Sequence, residues 1–330
     1  MTDNPINTDV DFGKDGVQHG HLKLPHSSEQ AAWGAVMTPL TVVRNGNGPT
    51  ALLTGANHGD EYEGPIALLN LAATLQQQNI TGRVIIVPMM NHPAFLAGRR
   101  TSPLDGGNMN RLFPGDPTGS PTQKLADYFQ RTLLPMADLV VDIHAGGKTL
   151  DFVPFVCAHV LADKEQQARC VAAMQAFNAP YHLMIKELDA VGMYDTAAEA
   201  LGKTFVTTEL GGGGSASATT AAIAKRGVAN LLMHAGILAG TPELNPSRRL
   251  EMTDPRGFIT SAHRGLLELC VDLGAAVRTG EVIAQVYDTD RSGPEPQVYR
   301  AAIDGVLAGR HFPGLIRPGD TLAVVAVPAD

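Results

Sequence analysis

Between residues 50 and 240, short apolar runs alternate with longer helical stretches, and few polar residues interrupt the runs. Residues 51–54, 84–88, 139–143, 153–157 and 205–208 read as strands, and 65–77, 122–134, 164–177 and 217–238 as helices. Strands alternating with helices demand α/β units. Strands so poor in polar residues demand a sheet covered on both faces. Before this region, residues 17–24 and 33–43 read as strands of a lead-in sheet that closes on Asn45-Gly-Asn-Gly. After it, Pro242, Pro246 and Pro255 mark a linker, and helical patterns disappear. The expected organisation is a β lead-in over 1–48, an α/β unit over 49–250 and a β-rich unit over 251–330.

The last unit has a weak internal repeat. Strand-like runs begin at Gly265, Gly280, Gly305 and Gly319, and the pattern resembles the barrel-sandwich fold of biotinyl and lipoyl carriers. Those carriers display a modified lysine at the hairpin between halves. Here residues 287–301 hold no lysine, so the unit is expected to be a structural or lid element without biotin or lipoate.

Charge and cysteine content exclude several classes. Lys and Arg number 25 against 33 Asp and Glu, a net charge of −8. That balance suits neither nucleic acid nor an anionic membrane, both of which need clustered cations. Three cysteines, at 157, 170 and 270, are too few and too far apart for a disulfide framework or a cysteine zinc knuckle. No run approaches the ~20 apolar residues of a membrane span, and the first residues lack the basic start and apolar run of a secretion signal. A cytoplasmic location is expected.

Chemistry concentrates at strand ends. Gly55-Ala-Asn-His58-Gly-Asp-Glu61 follows an apolar strand and precedes a helix, which puts it where open α/β sheets place their sites. Leu139-Val-Val-Asp142-Ile-His144-Ala-Gly-Gly repeats the arrangement. Each histidine alone also reads as a turn or cap residue. Together, two His and one Glu at separate strand ends make a three-ligand zinc site with a position open to water. Asp142 reads either as a buttress for a ligand or as a buried acid bonded to backbone amides, the latter being favoured.

Two further segments stand out. Residues 91–115 form a long connection carrying Arg99, Arg100 and Arg111. Such loops are usually functional, although the arginines also read as a solvated face. Glu209 closes a buried strand before four glycines, where backbone can approach closely. It also reads as an ordinary helix-start carboxylate.

Taken in order, His58-Gly-Asp-Glu61, Asn110-Arg111, His144 and Glu209 resemble the succinylglutamate desuccinylase/aspartoacylase family, relatives of the zinc carboxypeptidases, over roughly residues 45–240. The resemblance implies a zinc-carboxypeptidase-like mixed sheet flanked by helices, followed by the all-β barrel-sandwich-like module. It implies one zinc per chain on His58, Glu61 and His144. Glu209 is the implied general base and acid, and Arg100 the implied group polarising the scissile carbonyl, with Arg99 adjoining it. Asn110 and Arg111 are the implied holders of the substrate α-carboxylate. A C-terminal tyrosine joins the site in aspartoacylases; Tyr287 and Tyr299 are available here.

Asn108-Met-Asn-Arg-Leu-Phe-Pro-Gly115 and the β-rich tail are most similar to family members acting on N-alpha-acetyl-L-2,4-diaminobutyrate in ectoine breakdown. The expected partner is therefore a small N-acyl amino acid, with a homo-oligomer possible. Glu187, Asp189 and Asp195 are candidate acids for a cationic side chain, each also readable as a solvated surface residue. The rival readings are another N-acyl amino acid deacylase, a carboxypeptidase-like peptidase with an open groove, and a non-catalytic metal-binding protein.

Overall fold

Apolar runs with a two-residue period and cover on both sides produce the centre of the fold. In the strand Leu139–His144, the side chains of Leu139, Val141 and Ile143 enter one core and that of Val140 enters the other. The strand Thr50–Gly55 divides likewise, with Ala51 and Leu53 on one face and Leu52 on the other. All twelve residues of these strands are buried, as a sheet between two helical layers requires. The computed structural model describes residues 3–186 and 190–329.

Four strands run parallel at the centre. Thr50–Gly55 lies between Gly82–Val87 and Leu139–His144, and Thr204–Glu209 pairs with the far side of Leu139–His144. The chain leaves Thr50–Gly55 first to one side and then to the other, which creates a crevice at its carboxyl end. Helices Glu63–Thr74, Lys164–Phe177 and Ala218–His234 cover one face. The hairpin Gly16–Pro25 with Ala35–Asn45 hydrogen-bonds onto Gly82–Val87 and extends the sheet. On the other side Phe155–His159, Tyr181–Ile185, Arg248–Glu251 and Thr321–Pro328 continue it, so the main sheet runs into the C-terminal region.

That region also has a separate antiparallel sheet of four strands, Gln297–Arg300, Val282–Tyr287, Gly265–Leu269 and Leu315–Ile316. Its own core includes Val277, Ile283, Val286, Leu307, Leu322 and Val325. The mixed sheet with its helices and the β-rich tail match the fold expected from the sequence.

Some details differ. The expected helix over 122–134 is α-helical at Pro121–Tyr128, widens into a π turn at Phe129–Leu133 and returns to α at Leu134–Met136. Pro135 cannot donate to the carbonyl one turn back, so regular hydrogen bonding fails there. The long 91–115 connection holds a short helix, His92–Ala97, and a 3₁₀ turn, Met109–Arg111. The strand Tyr181–Ile185 and the helix Tyr194–Ala200 are too short to leave a clear period.

Phe177 ends its helix fully buried, and a Cβ on Gly227 of the neighbouring helix would come within 2.4 Å of its ring. Glycine is what lets the two helices close on that ring. Phe177→Ala is expected to lower unfolding free energy by about 3–5 kcal/mol, measured by denaturant titration. A loss under ~1 kcal/mol would mean that the helices collapse into the space.

Candidate active site

The parallel register brings the strand ends to one edge: Gly55 pairs with Ile143, and His144 with Glu209. From there the chain turns at Ala56, whose φ of 48 is left-handed, and delivers His58 and Glu61. Gly59 lets this turn pass under the helix His92–Ala97; a Cβ there would lie 2.0 Å from the Ala94 carbonyl carbon.

His58, Glu61 and His144 are all buried, and one donor atom from each lies within 4.8 Å of the others. His58 Nδ1 is 2.8 Å from Glu61 Oε1, and His144 Nδ1 is 2.9 Å from Glu61 Oε2. The outer ring nitrogens face oxygens, His58 Nε2 at 3.2 Å from Asn108 Oδ1 and His144 Nε2 at 2.7 Å from Asp142 Oδ2. Asn108 Oδ1 also accepts from the Asn110 amide, and Asp142 accepts from Asn57 Nδ2 and Thr54 Oγ1. These acceptors favour a proton on each Nε2, which turns both Nδ1 lone pairs toward the Glu61 carboxylate. Two lone pairs and an anion converging in a buried space call for a cation. The donor set fits a divalent metal of the zinc type.

Burial and neighbouring charge compete at these groups. Burial alone would depress His144, but the Asp142 and Glu61 carboxylates overcome this and hold it well above its ordinary value. Burial would likewise raise Glu61, and the charges of His58 and His144 reverse the effect and lower it. Metal binding would displace protons from these groups.

The expectation that Asp142 bonds backbone amides is corrected: its partners are the side chains of His144, Asn57 and Thr54. Asp142 and His144 lie two residues apart, on one face of the strand. That spacing lets the acid reach the ring and orient it.

Glu209 is a strand-end residue and not a helix-start acid, since the next helix begins at Ala218. Burial, aided by the Glu61 charge, pushes its carboxyl up to about 8. Its Oε2 has no hydrogen-bond partner among the described residues. The glycines beyond it all have positive φ, and a Cβ on Gly212 would lie 2.0 Å from the Leu150 carbonyl oxygen. They let the loops after the two strands cross, joined by Gly146 N–H to Gly211 O at 3.0 Å.

His58, His144 and Glu209 face a cavity of about 330 Å³ that Arg100, Asn110, Arg111 and Asp195 also line. Arg100 Nη1 stands 3.7 Å from Glu61 Oε1. Arg99 is exposed and does not line the cavity. Asn110 Oδ1 accepts from the Tyr194 amide at 2.9 Å, and Arg111 Nη1 donates to the Asn110 carbonyl at 2.6 Å. Met252, Phe258, Thr321 and Val324 of the C-terminal region form one wall. Tyr287 and Tyr299 lie elsewhere, bonded to Glu268 and to His263. Glu187 and Asp189 fall outside the described residues.

Asn57, Asn108 and Glu63 were not singled out from the sequence. The first two lie within two residues of ones that were, Asn57 before His58 and Asn108 before Asn110, and an amide so close to a candidate site residue is the signal that marks them. Glu63 is fully enclosed, with Oε1 accepting from Thr220 Oγ1 at 3.0 Å and Oε2 unpartnered. Burial foremost raises it to about 7. Between pH ~4.5 and 7 the folded chain therefore keeps a proton that the unfolded chain has lost, and stability falls as pH rises through that window. Glu63→Gln is expected to add about 3 kcal/mol at pH 8 and little at pH 4, read by chemical denaturation at both values. An equal gain at the two would show that Glu63 does not titrate on folding.

Residues 47–235 match the succinylglutamate desuccinylase/aspartoacylase catalytic domain. The chain is 57% identical to N-alpha-acetyl-L-2,4-diaminobutyric acid deacetylase of Halomonas elongata, over 98% of this chain and 95% of that protein. Among solved structures it is similar to the product-bound ectoine utilization protein EutE (DoeB) of Ruegeria pomeroyi, at 60% identity and a TM-score of 0.98 over 99% of this chain and 100% of that one. A succinylglutamate desuccinylase/aspartoacylase of Rhodobacter sphaeroides is 38% identical, with a TM-score of 0.93 over 98% and 100% of the two chains. On its fold, its ordered strand-end residues and these matches, the chain belongs to the succinylglutamate desuccinylase/aspartoacylase family.

Proposed function

We propose that this chain is a zinc-dependent deacetylase that hydrolyses N-alpha-acetyl-L-2,4-diaminobutyrate to diaminobutyrate and acetate in ectoine breakdown. The observation that carries this reading is the convergence of three buried donor residues and a raised Glu209, whose Oε2 has no partner among the described residues, on one walled cavity. The relative of that name, 57% identical over nearly the whole chain, supports the choice of substrate. The C-terminal wall supports a small substrate over a peptide. No described helix is long and apolar enough to cross a membrane, which agrees with action on a soluble metabolite in the cytoplasm.

His58 Nδ1, Glu61 and His144 Nδ1 would hold the metal, one per chain, and Asp142 would keep the His144 ring oriented. Zinc bound there supplies Lewis acidity, lowering the pKa of a water to about 7 and polarising the acyl carbonyl. Glu209 takes a proton from the attacking water on Oε2 and returns it to the amine nitrogen as the amide bond breaks. The Arg100 guanidinium donates to the carbonyl oxygen as negative charge builds there. Asn110 and Arg111 bind the α-carboxylate, for which guanidinium offers two parallel donors. Apolar walls keep bulk water from the reacting amide.

Purified protein is expected to carry about one zinc per chain, and His144→Ala to bind it far more weakly. Unchanged zinc in separate alanine variants of all three ligands would exclude the site. Glu209→Gln keeps shape but cannot take a proton, so kcat/KM should fall by at least ~10² with zinc retained. In a comparison with acetylaspartate, succinylglutamate and a C-terminal peptide, acetyl-diaminobutyrate should be cleaved with the highest kcat/KM. Faster cleavage of any of the others would overturn the substrate assignment and leave the metal chemistry standing.

A further inference from the structure

In diaminobutyrate the side-chain nitrogen is three bonds from the carbon that bears the carboxylate. Groups that hold these two charges must therefore be close neighbours in the protein. The segment 192–195 lies directly on the turn that presents Asn110 and Arg111. The Phe113 amide donates to the Gly192 carbonyl at 3.0 Å, and the Tyr194 amide donates to Asn110 Oδ1 at 2.9 Å. Gly192 has a φ of 77, and a Cβ on it would meet the Arg111 carbonyl oxygen at 2.4 Å. The two backbones touch, and both Arg111 and Asp195 line the cavity.

Asp195 is 6% exposed, at the start of the helix Tyr194–Ala200, where Oδ1 accepts from the Thr196 amide and from Thr196 Oγ1. Among the described residues that line the cavity, the carboxylates are Asp195 and Glu209. Glu209 is occupied with the proton of the reaction. We infer that Asp195 is the specificity-determining group that pairs with the side-chain ammonium of the substrate, an inference that rests on the substrate reading above. An ammonium entering a walled cavity loses hydration and needs an opposite charge beside it. A neutral side chain of the same shape would gain no attraction from the acid, and an anionic one would be repelled. The loop 192–195 thereby selects the side chain, while the turn it packs on selects the α-carboxylate.

The test compares two substrates of equal shape, N-acetyl-diaminobutyrate and N-acetyl-norvaline, on the metal-loaded wild type, Asp195→Asn and Asp195→Ser. Asparagine keeps the shape of the acid, and serine keeps a short side-chain oxygen beside the Thr196 amide. Preference for the charged substrate in kcat/KM is expected to fall by about 10- to 100-fold in both variants, as for loss of a charge-assisted hydrogen bond, the loss falling mainly on the charged substrate. A preference that survives in both variants at normal zinc content overturns the role of Asp195. So does an equal loss of both substrates, which would mark the acid as a support of the fold. A wild type without preference for the ammonium substrate refutes the substrate reading itself, and the inference falls with it.

Discussion

Parallel pairing of the strands Thr50–Gly55, Leu139–His144 and Thr204–Glu209 is the constraint on which the site depends. Parallel hydrogen bonding forces all three to finish on the same edge, so residues 58, 144 and 209 arrive together although they are distant in the chain. A one-residue slip would turn His144 and Asp142 toward the opposite face. The burial of Val140 on one side and of Val141 and Ile143 on the other prevents that slip. The geometry of the candidate site is thus held by the same apolar pattern that holds the core.

Once gathered, the charged groups cannot be left as they are. Glu61 and Asp142 are carboxylates in a space closed to water, where an uncompensated charge costs several kcal/mol. Asp142 is satisfied by Asn57, Thr54 and His144, and through His144 it sets which nitrogen faces Glu61. The chain from Asn57 to Asp142 to His144 to Glu61 joins two strand ends into one rigid unit. Its donor atoms fit a divalent cation. Glu209 stands at the rim of this charge system, its Oε2 without a partner among the described residues. Burial, aided by the Glu61 charge, raises its carboxyl toward the range in which one group can both take and give a proton.

Around this rigid centre the chain builds recognition from segments that lack regular structure or have little of it. The 91–115 connection delivers Arg100, Asn110 and Arg111, and the 192–195 segment, bonded to it, delivers Asp195. The C-terminal region supplies the remaining wall through Met252, Phe258, Thr321 and Val324. It reaches the site because Thr321–Pro328 and Arg248–Glu251 are strands of the main sheet.

Much of this was legible in the residues alone. Hydrophobic period is local, so the strands at 51–54, 139–143 and 205–208 and the helix at 164–177 could be read directly. The ligand types at strand ends and the β-rich tail without a lysine in 287–301 followed the same way. Other features could not be read locally. The choice of Arg100 over Arg99 as the residue facing the cavity depends on how the helix His92–Ala97 packs. The partners of Asp142 include Asn57, 85 residues away, and Asn110 meets the Tyr194 amide across 84 residues. By itself the sequence determined the α/β class, the order of the elements and the kinds of groups available for chemistry, because these depend on neighbours within a few turns. Tertiary structure alone decided which ring nitrogens converge, which acid orients His144 and which lies beside the Asn110–Arg111 turn. Those outcomes come from contacts between segments far apart in the chain, whose approach is set by packing and by no local pattern.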